Sequence, residues 1–363
     1  MSFLPGLVLA RRYHDEVVAP ILRGRFSSLA YAAGLLDGGS EVLGLDTARS
    51  TDHDWGPRLQ VFVGPADVAA IPRIRAALDA DLPAEFLGWP TRFAGDGRLG
   101  VPDAAGTRHG VTVDEMADWW RRRLGFDPMD GVGTADWLAS PTQRLAEVTG
   151  GEVFHDGLDG ALTARRAALR WYPPDVWRYV LAAVWTRIAQ AEHLPGRCAE
   201  VGDELGSRVV TGGIARDVLR LGLLLRRRWP PYDKWLGTAF GRLPGAAPAV
   251  AALAEATGPG DWTRRQAGLV EALETMARWT DDTALAAPVR ARAGPFHDRP
   301  FLVLRAERVA AALRAAVTDP ALRDRPLLGA VDQYVHSVDV LSDASRARRV
   351  ADGLFPGVVT DRW

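Results

Sequence analysis

One stretch decides the fold that we expect: residues 38–55, with the sequence GGSEVLGLDTARSTDHDW. It begins with two glycines and a serine, and it ends near two aspartates, Asp52 and Asp54, that one residue separates. In an extended segment, side chains two positions apart point to the same face, about 7 Å apart along the strand. Mg²⁺ in proteins prefers one or two carboxylates, with water and phosphate oxygens as its other ligands. We therefore predict that Asp52 and Asp54 bind Mg²⁺ at the mouth of a strand.

The glycine end of this stretch suits a phosphate group. Glycine lets the backbone approach a ligand closely, and N–H groups that open a helix attract phosphate. The pattern predicts a strand over residues 29–36, then the glycines, then a short helix. Gly39 and Ser40 would bind phosphates, while a metal pair about 4 Å apart stabilises the attacking and leaving oxygens of the transferred group. The alternative is an ordinary turn at residues 38–39 followed by a solvated strand end.

The order and spacing of these residues resemble the signature of the nucleotidyltransferase superfamily that includes DNA polymerase beta and the aminoglycoside nucleotidyltransferases. The resemblance implies that Gly39 and Ser40 hold the terminal phosphates of a nucleoside triphosphate and that Asp52 and Asp54 hold the metals. It implies Mg²⁺ as the cofactor, ATP or another nucleoside triphosphate as co-substrate, and transfer of AMP to a hydroxyl group. The acceptor would be a small molecule, a protein side chain or an RNA end.

Three segments extend the likeness along the chain. Residues 50–57, 202–207 and 232–235 together resemble an uncharacterised bacterial family of nucleotidyltransferase-like proteins. This second resemblance supports the expected fold and says little about the substrate.

The periodicity of the whole chain predicts an α+β protein. Further strands are expected over residues 54–63, 86–93 and 109–113, among helices over residues 7–25, 67–79 and 114–124. After residue 130 the pattern is helical, with helices expected over residues 134–149, 158–169, 174–191, 197–228, 233–243, 263–280, 301–317 and 326–341. We predict a small mixed-sheet nucleotidyltransferase core, residues 1–130, followed by a C-terminal helical bundle, residues 131–363. The bundle has a possible subdivision near residues 245–260.

The chain departs from the superfamily pattern at the third carboxylate. The superfamily usually has this acid on a later strand beside the aspartate pair, but the centre of the matching strand, residues 109–113, is Thr112. Asp114 follows directly and is either a third metal ligand or a helix cap. The general base is therefore unassigned, or it comes from the helical domain.

The helical half has two candidate binding segments. Gly202 and Gly206 are expected on one helix face, where they would admit a ligand to a polar cleft. The cleft would be lined by the substrate-binding candidates Glu200, Asp203 and Arg208, next to Glu204. The alternative is a solvated face with an ion pair between Glu204 and Arg208.

The second segment contains Lys234, which follows Pro230-Pro231 and precedes Trp235. A lysine held among aromatic residues has limited freedom, and the resemblance implies that it contacts the triphosphate. The alternative is a plain helix start capped by Asp233. His155 and Asp156 are expected in a turn.

Composition limits the class of protein. The chain has 363 residues, 47% hydrophobic and 25% charged, which is typical of a soluble globular protein of two or three domains. The formal charge of −1 disfavours a nucleic-acid partner without excluding one. A single cysteine, Cys198, fits a reducing compartment. With a poor secretion signal at residues 1–10 and no apolar run of membrane-spanning length, we expect a cytoplasmic protein without a membrane partner.

Two other classes of function stay open. The missing strand carboxylate favours a catalytically inactive nucleotide-binding or antitoxin-like interaction protein, whereas the intact aspartate pair argues against it. A glycosyltransferase that binds a nucleotide sugar through the aspartates is a third interpretation, but that chemistry does not need Gly39 and Ser40. The sequence does not predict the oligomeric state.

Overall fold

The computed structural model describes residues 3–52, 55–95, 99–100 and 108–354, and for residues 52, 94–95 and 99–100 it describes the backbone alone. Asp54 and the side chain of Asp52 therefore lie outside the described residues. The chain divides into two compact units, residues 1–132 with 144–170, and residues 133–143 with 171–363. The first unit thus includes residues 144–170, which lie beyond the boundary that the sequence predicts at residue 130.

A mixed sheet organises the first unit. Its strands are β1 (Tyr31–Leu35), β2 (Arg58–Val63), β5 (Arg92–Gly95), β6 (Leu99–Gly100), β7 (Arg108–Glu115) and β8 (Glu152–Asp156), and a separate hairpin has β3 (Glu85–Phe86) and β4 (Trp89–Pro90). The order in the sheet is β6-β5-β7-β2-β1-β8. β2 and β7 are parallel, whereas the other pairs are antiparallel. The α+β class with a mixed sheet is confirmed.

The first helices follow the predicted pattern. They are α1 (Gly6–Tyr13), α2 (Ala19–Arg25), α3 (Ile71–Asp81), α4 (Met116–Leu124), α5 (Thr134–Ala139), α6 (Thr142–Thr149) and α7 (Ala161–Ala168). A π-helical turn, His14–Val18, joins α1 to α2, so the helix predicted over residues 7–25 is almost continuous. α5 belongs to the second unit, and the helix predicted over residues 134–149 breaks between α5 and α6, where Pro141 follows Ser140.

Alternating residues of β2 explain its two faces. Leu59, Val61 and Val63 are almost fully buried in the core between the sheet and the helices. Burial of each such side chain contributes about 1.5–3 kcal/mol. The core also includes Leu9, Tyr13, Leu22, Ile74, Leu78, Val111 and Val113. Arg58 and Gln60 alternate with these residues, so the pleat directs them to the other face of the sheet.

Two sequence expectations for the sheet are wrong. The single strand expected over residues 86–93 is a hairpin with a break, because Leu87 and Gly88 both have positive φ angles of 52° and 82°, as a tight two-residue turn requires. The turn expected at His155 and Asp156 is the end of β8, which pairs with β1 from Glu152 opposite Leu35. The short run of residues 152–156 lies between glycines, and this is the signal that sequence reasoning missed.

The second unit is a helical bundle, as predicted. Its elements are α5, α8 (Pro174–Ala191), α9 (Leu194–Glu200), α10 (Glu204–Leu225), α11 (Asp233–Gly241), α12 (Ala247–Thr257), α13 (Trp262–Asp282), β9 (Gly294–Pro295), β10 (Leu302–Val303), α14 (Glu307–Ala315), α15 (Pro320–Arg323), α16 (Val338–Leu341) and α17 (Ala344–Leu354). α8 matches its predicted bounds. In the described part of the chain, no helix is long and apolar enough to span a membrane.

Several segments of the second unit differ from expectation. The helix expected over residues 301–317 forms only as α14, after β10, and the sequence pattern does not predict α12. The helix expected over residues 197–228 is two helices, α9 and α10, because Gly202 adopts a left-handed φ of 74° between them. Of the helix expected over residues 326–341, only the 3₁₀ turn Val331–Gln333 and α16 form. Gln333 accounts for part of this difference. Its side chain accepts from Ala330 N, which ends the backbone pattern of a helix there, and it donates to Val180 O of α8.

Candidate functional site

The glycine–aspartate stretch lies in the connection between β1 and β2, residues 36–57, which we call the β1–β2 loop. Its backbone turns sharply, with φ of 74° at Asp37 and 137° at Gly39. Residues 40–44 form turns in which Leu45 N donates to Ser40 O at 2.8 Å. The short helix expected after the glycines does not begin there, and the 3₁₀ helix of this loop, Ala48–Asp52, begins eight residues after Ser40. A phosphate at Gly39 and Ser40 would meet the N–H groups of a turn and not a helix N-terminus.

A buried ion pair fastens the β1–β2 loop to the sheet. Glu41 and Arg58 are 2% and 5% exposed. Arg58 Nε and Nη2 donate to Glu41 Oε1 at 2.8 and 2.5 Å, and Nη2 also donates to Gly38 O at 2.6 Å. One guanidinium group thus bonds both the loop acid and the backbone of the glycine turn.

Gln60 fastens the start of the loop two residues further along β2. Its side-chain oxygen accepts from Leu36 N at 2.9 Å, and its side-chain nitrogen donates to Leu36 O at 3.2 Å. These two bonds satisfy the backbone N–H and C=O groups of Leu36, the first residue after β1. Gln60 therefore holds the start of the loop, and Arg58 holds the glycine turn that follows.

The backbone of Gly39 packs directly on the ion pair. A Cβ atom built at Gly39 would collide with Arg58 Nη2 and would lie 2.6 Å from Glu41 Oε2. The position needs glycine for this lack of space and for its positive φ. Glycine here serves the packing of the turn, whatever ligand it also admits.

Asp46 fastens the middle of the loop. Its Oδ2 accepts from Gly6 N at 2.8 Å and from Trp55 Nε1 at 3.1 Å. The carboxylate therefore lies at the N-terminus of α1, where the helix dipole favours a negative charge. Trp55 is 5% exposed and packs edge-on against Trp89 with ring centres 4.6 Å apart. Asp46 is a structural acid within the motif, a role that the sequence does not reveal.

The sheet register brings the two ends of the motif toward one edge. β1 and β2 are antiparallel with Gly34 opposite Gln60, so the glycine turn after β1 lies beside the start of β2. The bond from Arg58 to Gly38 O joins them directly. Asp54 is four residues before Arg58, and four residues span at most about 14 Å. The metal-binding roles of Asp52 and Asp54 and the phosphate-binding roles of Gly39 and Ser40 stay predictions, since the aspartate carboxylates lie outside the described residues.

Asp114 is not a helix cap. It lies within β7, and the cap of α4 is Glu115, whose side chain accepts from Asp118 N at 2.7 Å. Asp114 instead accepts from Arg122 at 2.7 Å and lies 3.9 Å from Arg75. The sequence could not place it because strand and helix adjoin without a loop.

The position of Asp114 also argues against a shared metal site. It lies opposite Phe62 in the register, about 13 Å along β2 from Arg58. The residue of β7 that is level with Arg58 is Gly110, where a Cβ atom would lie 2.7 Å from Phe93 and from Pro57 O. A third metal ligand at Asp114 stays untested, but β7 has no carboxylate level with the start of β2.

A second charged group lies at the entrance to the glycine turn. Asp37 accepts from Arg123 at 2.5 Å and from Arg144 at 2.8 Å, and its N–H donates to Glu147 O at 3.0 Å. These contacts hold a non-glycine residue in the left-handed conformation. Sequence reasoning missed Asp37, since its partner Arg144 is 107 residues away in the chain.

In the second unit, Lys234 lies in the first turn of α11. Its ammonium group is 5.0 Å from the centre of the Trp235 ring, and Trp235 Nε1 donates to Tyr232 Oη at 2.8 Å. The expected position of the lysine beside aromatic residues is therefore observed. The residue at the N-cap is Tyr232, so the cap by Asp233 that the alternative interpretation gives this helix is wrong. Contact of Lys234 with a triphosphate stays a prediction.

The segment of residues 200–208 differs from the predicted cleft. Gly202 precedes α10 and Gly206 lies in its first turn, so the two glycines do not share a helix face. Asp203 caps α10 by accepting from Gly206 N at 2.8 Å. Glu200 forms an ion pair with Arg299, and Arg208 Nε lies 3.0 Å from Glu204. Substrate binding by Glu200, Asp203 and Arg208 stays untested, and their structural partners favour the solvated alternative.

Comparisons with known proteins give limited information. A family model described as "Domain of unknown function (DUF4037)" matches residues 137–236, less than a third of the chain. No curated protein matches the chain. A solved structure described as a nucleotidyltransferase-like protein from Exiguobacterium sibiricum 255-15 is 12% identical, with 85% of this chain and 89% of that chain covered. Its TM-score is 0.33, which is too low to carry an argument about function.

Proposed function

We propose that this protein is a Mg²⁺-dependent nucleotidyltransferase that moves AMP from ATP to a hydroxyl group. The observation that carries the proposal is the 2.6 Å hydrogen bond from Arg58 to Gly38 O. This bond supports the proposal because it holds the glycine turn against the strand that begins four residues after Asp54. A triphosphate and its metals need both ends of the motif at one place.

Each residue of the motif has a distinct proposed role. Asp52 and Asp54 hold the metal ions, which neutralise the phosphate charge and polarise the transferred group. Gly39 and Ser40 hold the terminal phosphates, and Lys234 adds a further charge. Phosphoryl transfer depends mostly on positioning and on charge neutralisation, so these residues suffice for the outline of the reaction. We assign no role to Asp114, because Arg122 already binds its carboxylate.

A second candidate function is a nucleotide-binding protein that does not catalyse transfer. The specific observation in its favour is Gly110, which occupies the position of β7 level with Arg58 and leaves no space for an acid. Such a protein would still bind ATP with Mg²⁺ through the β1–β2 loop.

One experiment separates these proposals. ATP binding is measured by titration calorimetry with Mg²⁺ and with EDTA, and transfer is followed with α-labelled ATP and a panel of hydroxyl-bearing acceptors. We expect tighter binding with Mg²⁺, since two aspartates would otherwise repel the triphosphate, and label transfer to an acceptor. Metal-dependent binding without label transfer supports the second candidate. Equal affinity in both conditions contradicts the two-metal proposal.

A further inference from the structure

We propose that Arg58 and Glu41 are positioning residues, whose buried ion pair orients the peptide between Gly38 and Gly39 for a triphosphate. This inference rests on the proposed function. It concerns how the turn is held, and it adds Glu41 and Arg58 to the residues proposed to bind the triphosphate and its metals.

Stability alone does not explain a charged pair at this place. Both side chains are almost fully buried, and removal of two charges from water costs several kcal/mol per ion. Replacement of a buried ion pair by apolar residues of similar volume is often neutral or stabilising. The pair therefore needs a role that apolar side chains lack, and Arg58 has one, because its Nη2 donates to Gly38 O.

The bond to Gly38 O determines where the next N–H group points. In a trans peptide the C=O and N–H groups point in opposite directions. Gly38 O faces the buried guanidinium of Arg58, so the N–H of Gly39 faces away from it. Among the described residues, no group accepts a hydrogen bond from Gly39 N. This N–H is thus available to a ligand on the side of the turn that faces away from Arg58, and the ion pair sets its direction.

Close packing makes the coupling direct. Gly39 has no side chain between its backbone and the pair, and Glu41 Oε2 is 2.6 Å from the position that a Cβ atom would take. In the part of the chain that the structure describes, Arg58 is the residue that bonds the Glu41 carboxylate. A change in the length or hydrogen bonding of either side chain therefore moves the turn backbone.

The test is a double variant, Glu41→Leu with Arg58→Met. It replaces the charged pair by apolar side chains of similar volume, and it removes the bond to Gly38 O. We expect a melting temperature close to that of the parent and Mg-ATP binding weakened about tenfold, the equivalent of about 1.4 kcal/mol. Binding of adenosine, which lacks phosphates, should not change. The matched control is Asp127→Leu with Arg165→Met, a largely buried pair of the first unit, with Nη2 and Oδ2 2.7 Å apart and side chains 3% and 12% exposed. The control should bind Mg-ATP like the parent.

The outcomes distinguish this inference from the proposed function. If the parent protein does not bind Mg-ATP, the proposed function fails, and the positioning role that rests on it fails too. If the parent binds and the folded double variant binds equally well, the positioning role is overturned. If the double variant does not fold, Arg58→Lys decides, because a lysine keeps the charge beside Glu41 but its side chain ends one atom before Nη2, the atom that donates to Gly38 O. Parent-like affinity in that variant overturns the inference, and a loss of about tenfold that spares adenosine supports it.

Discussion

The β1–β2 loop and the segment of residues 200–208 contain the same kinds of residue, but the fold uses them differently. At the loop, Glu41 and its β2 partner Arg58 are buried, and Arg58 also bonds the backbone of the glycine turn. In the second segment, the side chains of Arg208 and Glu204 are 52% and 46% exposed. Water screens such an exposed pair, so it has little influence on the backbone around it. Glycines beside charged residues therefore indicate a candidate site only where the charged side chains are buried and bond the backbone around them.

The two aspartates should give the largest difference between these regions. Asp52→Asn and Asp54→Asn should each abolish Mg²⁺-dependent ATP binding, because each removes a proposed metal ligand, while the melting temperature stays near that of the parent. Calorimetry with and without EDTA measures the effect. Glu200→Gln, in the exposed segment, is the control and should leave binding unchanged. Unfolding of the aspartate variants, with metal-dependent binding kept in the folded fraction, would show a structural role instead.

Alanine at two glycines with positive φ, one from each region, should sharpen the same comparison. Gly39→Ala should destabilise the protein by about 2 kcal/mol or more, since it combines a strained backbone with a collision against the ion pair. Gly202→Ala has a strained backbone but open space around the new Cβ atom, so its cost should be about 1 kcal/mol. Urea unfolding of both variants tests the order. An equal loss of unfolding free energy in both variants would mean that Glu41 and Arg58 move aside to make space for the new methyl group.

Lys234 should have an intermediate effect. It is the sole lysine of the chain, and its ammonium group lies over the Trp235 ring. Lys234→Ala should weaken ATP binding by about 1.5–3 kcal/mol, as expected for the loss of one charge-assisted contact. Lys234→Arg keeps the charge and is the matched control. In the parent, Mg-ATP should also protect Lys234 from an amine-reactive reagent. Unchanged affinity with a markedly lower melting temperature in the alanine variant would make Lys234 a structural residue.

Arg208 should give the smallest effect. Its partner Glu204 also binds Arg265, which is 2% exposed, at 2.6 Å, so Glu204 keeps a cation when Arg208 is removed. Arg208→Ala should therefore shift the melting temperature by about 1 °C or less, and added salt should reduce the difference further. Thermal unfolding at low and high salt measures this. A shift of several degrees would show that residues 200–208 are organised like the β1–β2 loop.

Local sequence signals determined much of the fold. The periodicity of residues 174–191 predicts both bounds of α8. These signals are reliable because helix and strand periods depend on residues a few positions apart. The prediction failed where a residue takes a positive φ that the periodicity does not indicate, as at Gly202 and at the hairpin turn of Leu87 and Gly88.

The candidate site shows the limit of this information. The sequence by itself determined the spacing of Gly39, Ser40, Asp52 and Asp54, which is a property of the chain. Only the tertiary structure decided that Glu41 pairs with Arg58 and that Asp37 binds Arg144, over separations of 17 and 107 residues. Such partners depend on strand register and on which acids become buried together. Burial makes an unpaired charge costly, and this cost selects partners that no local pattern can specify.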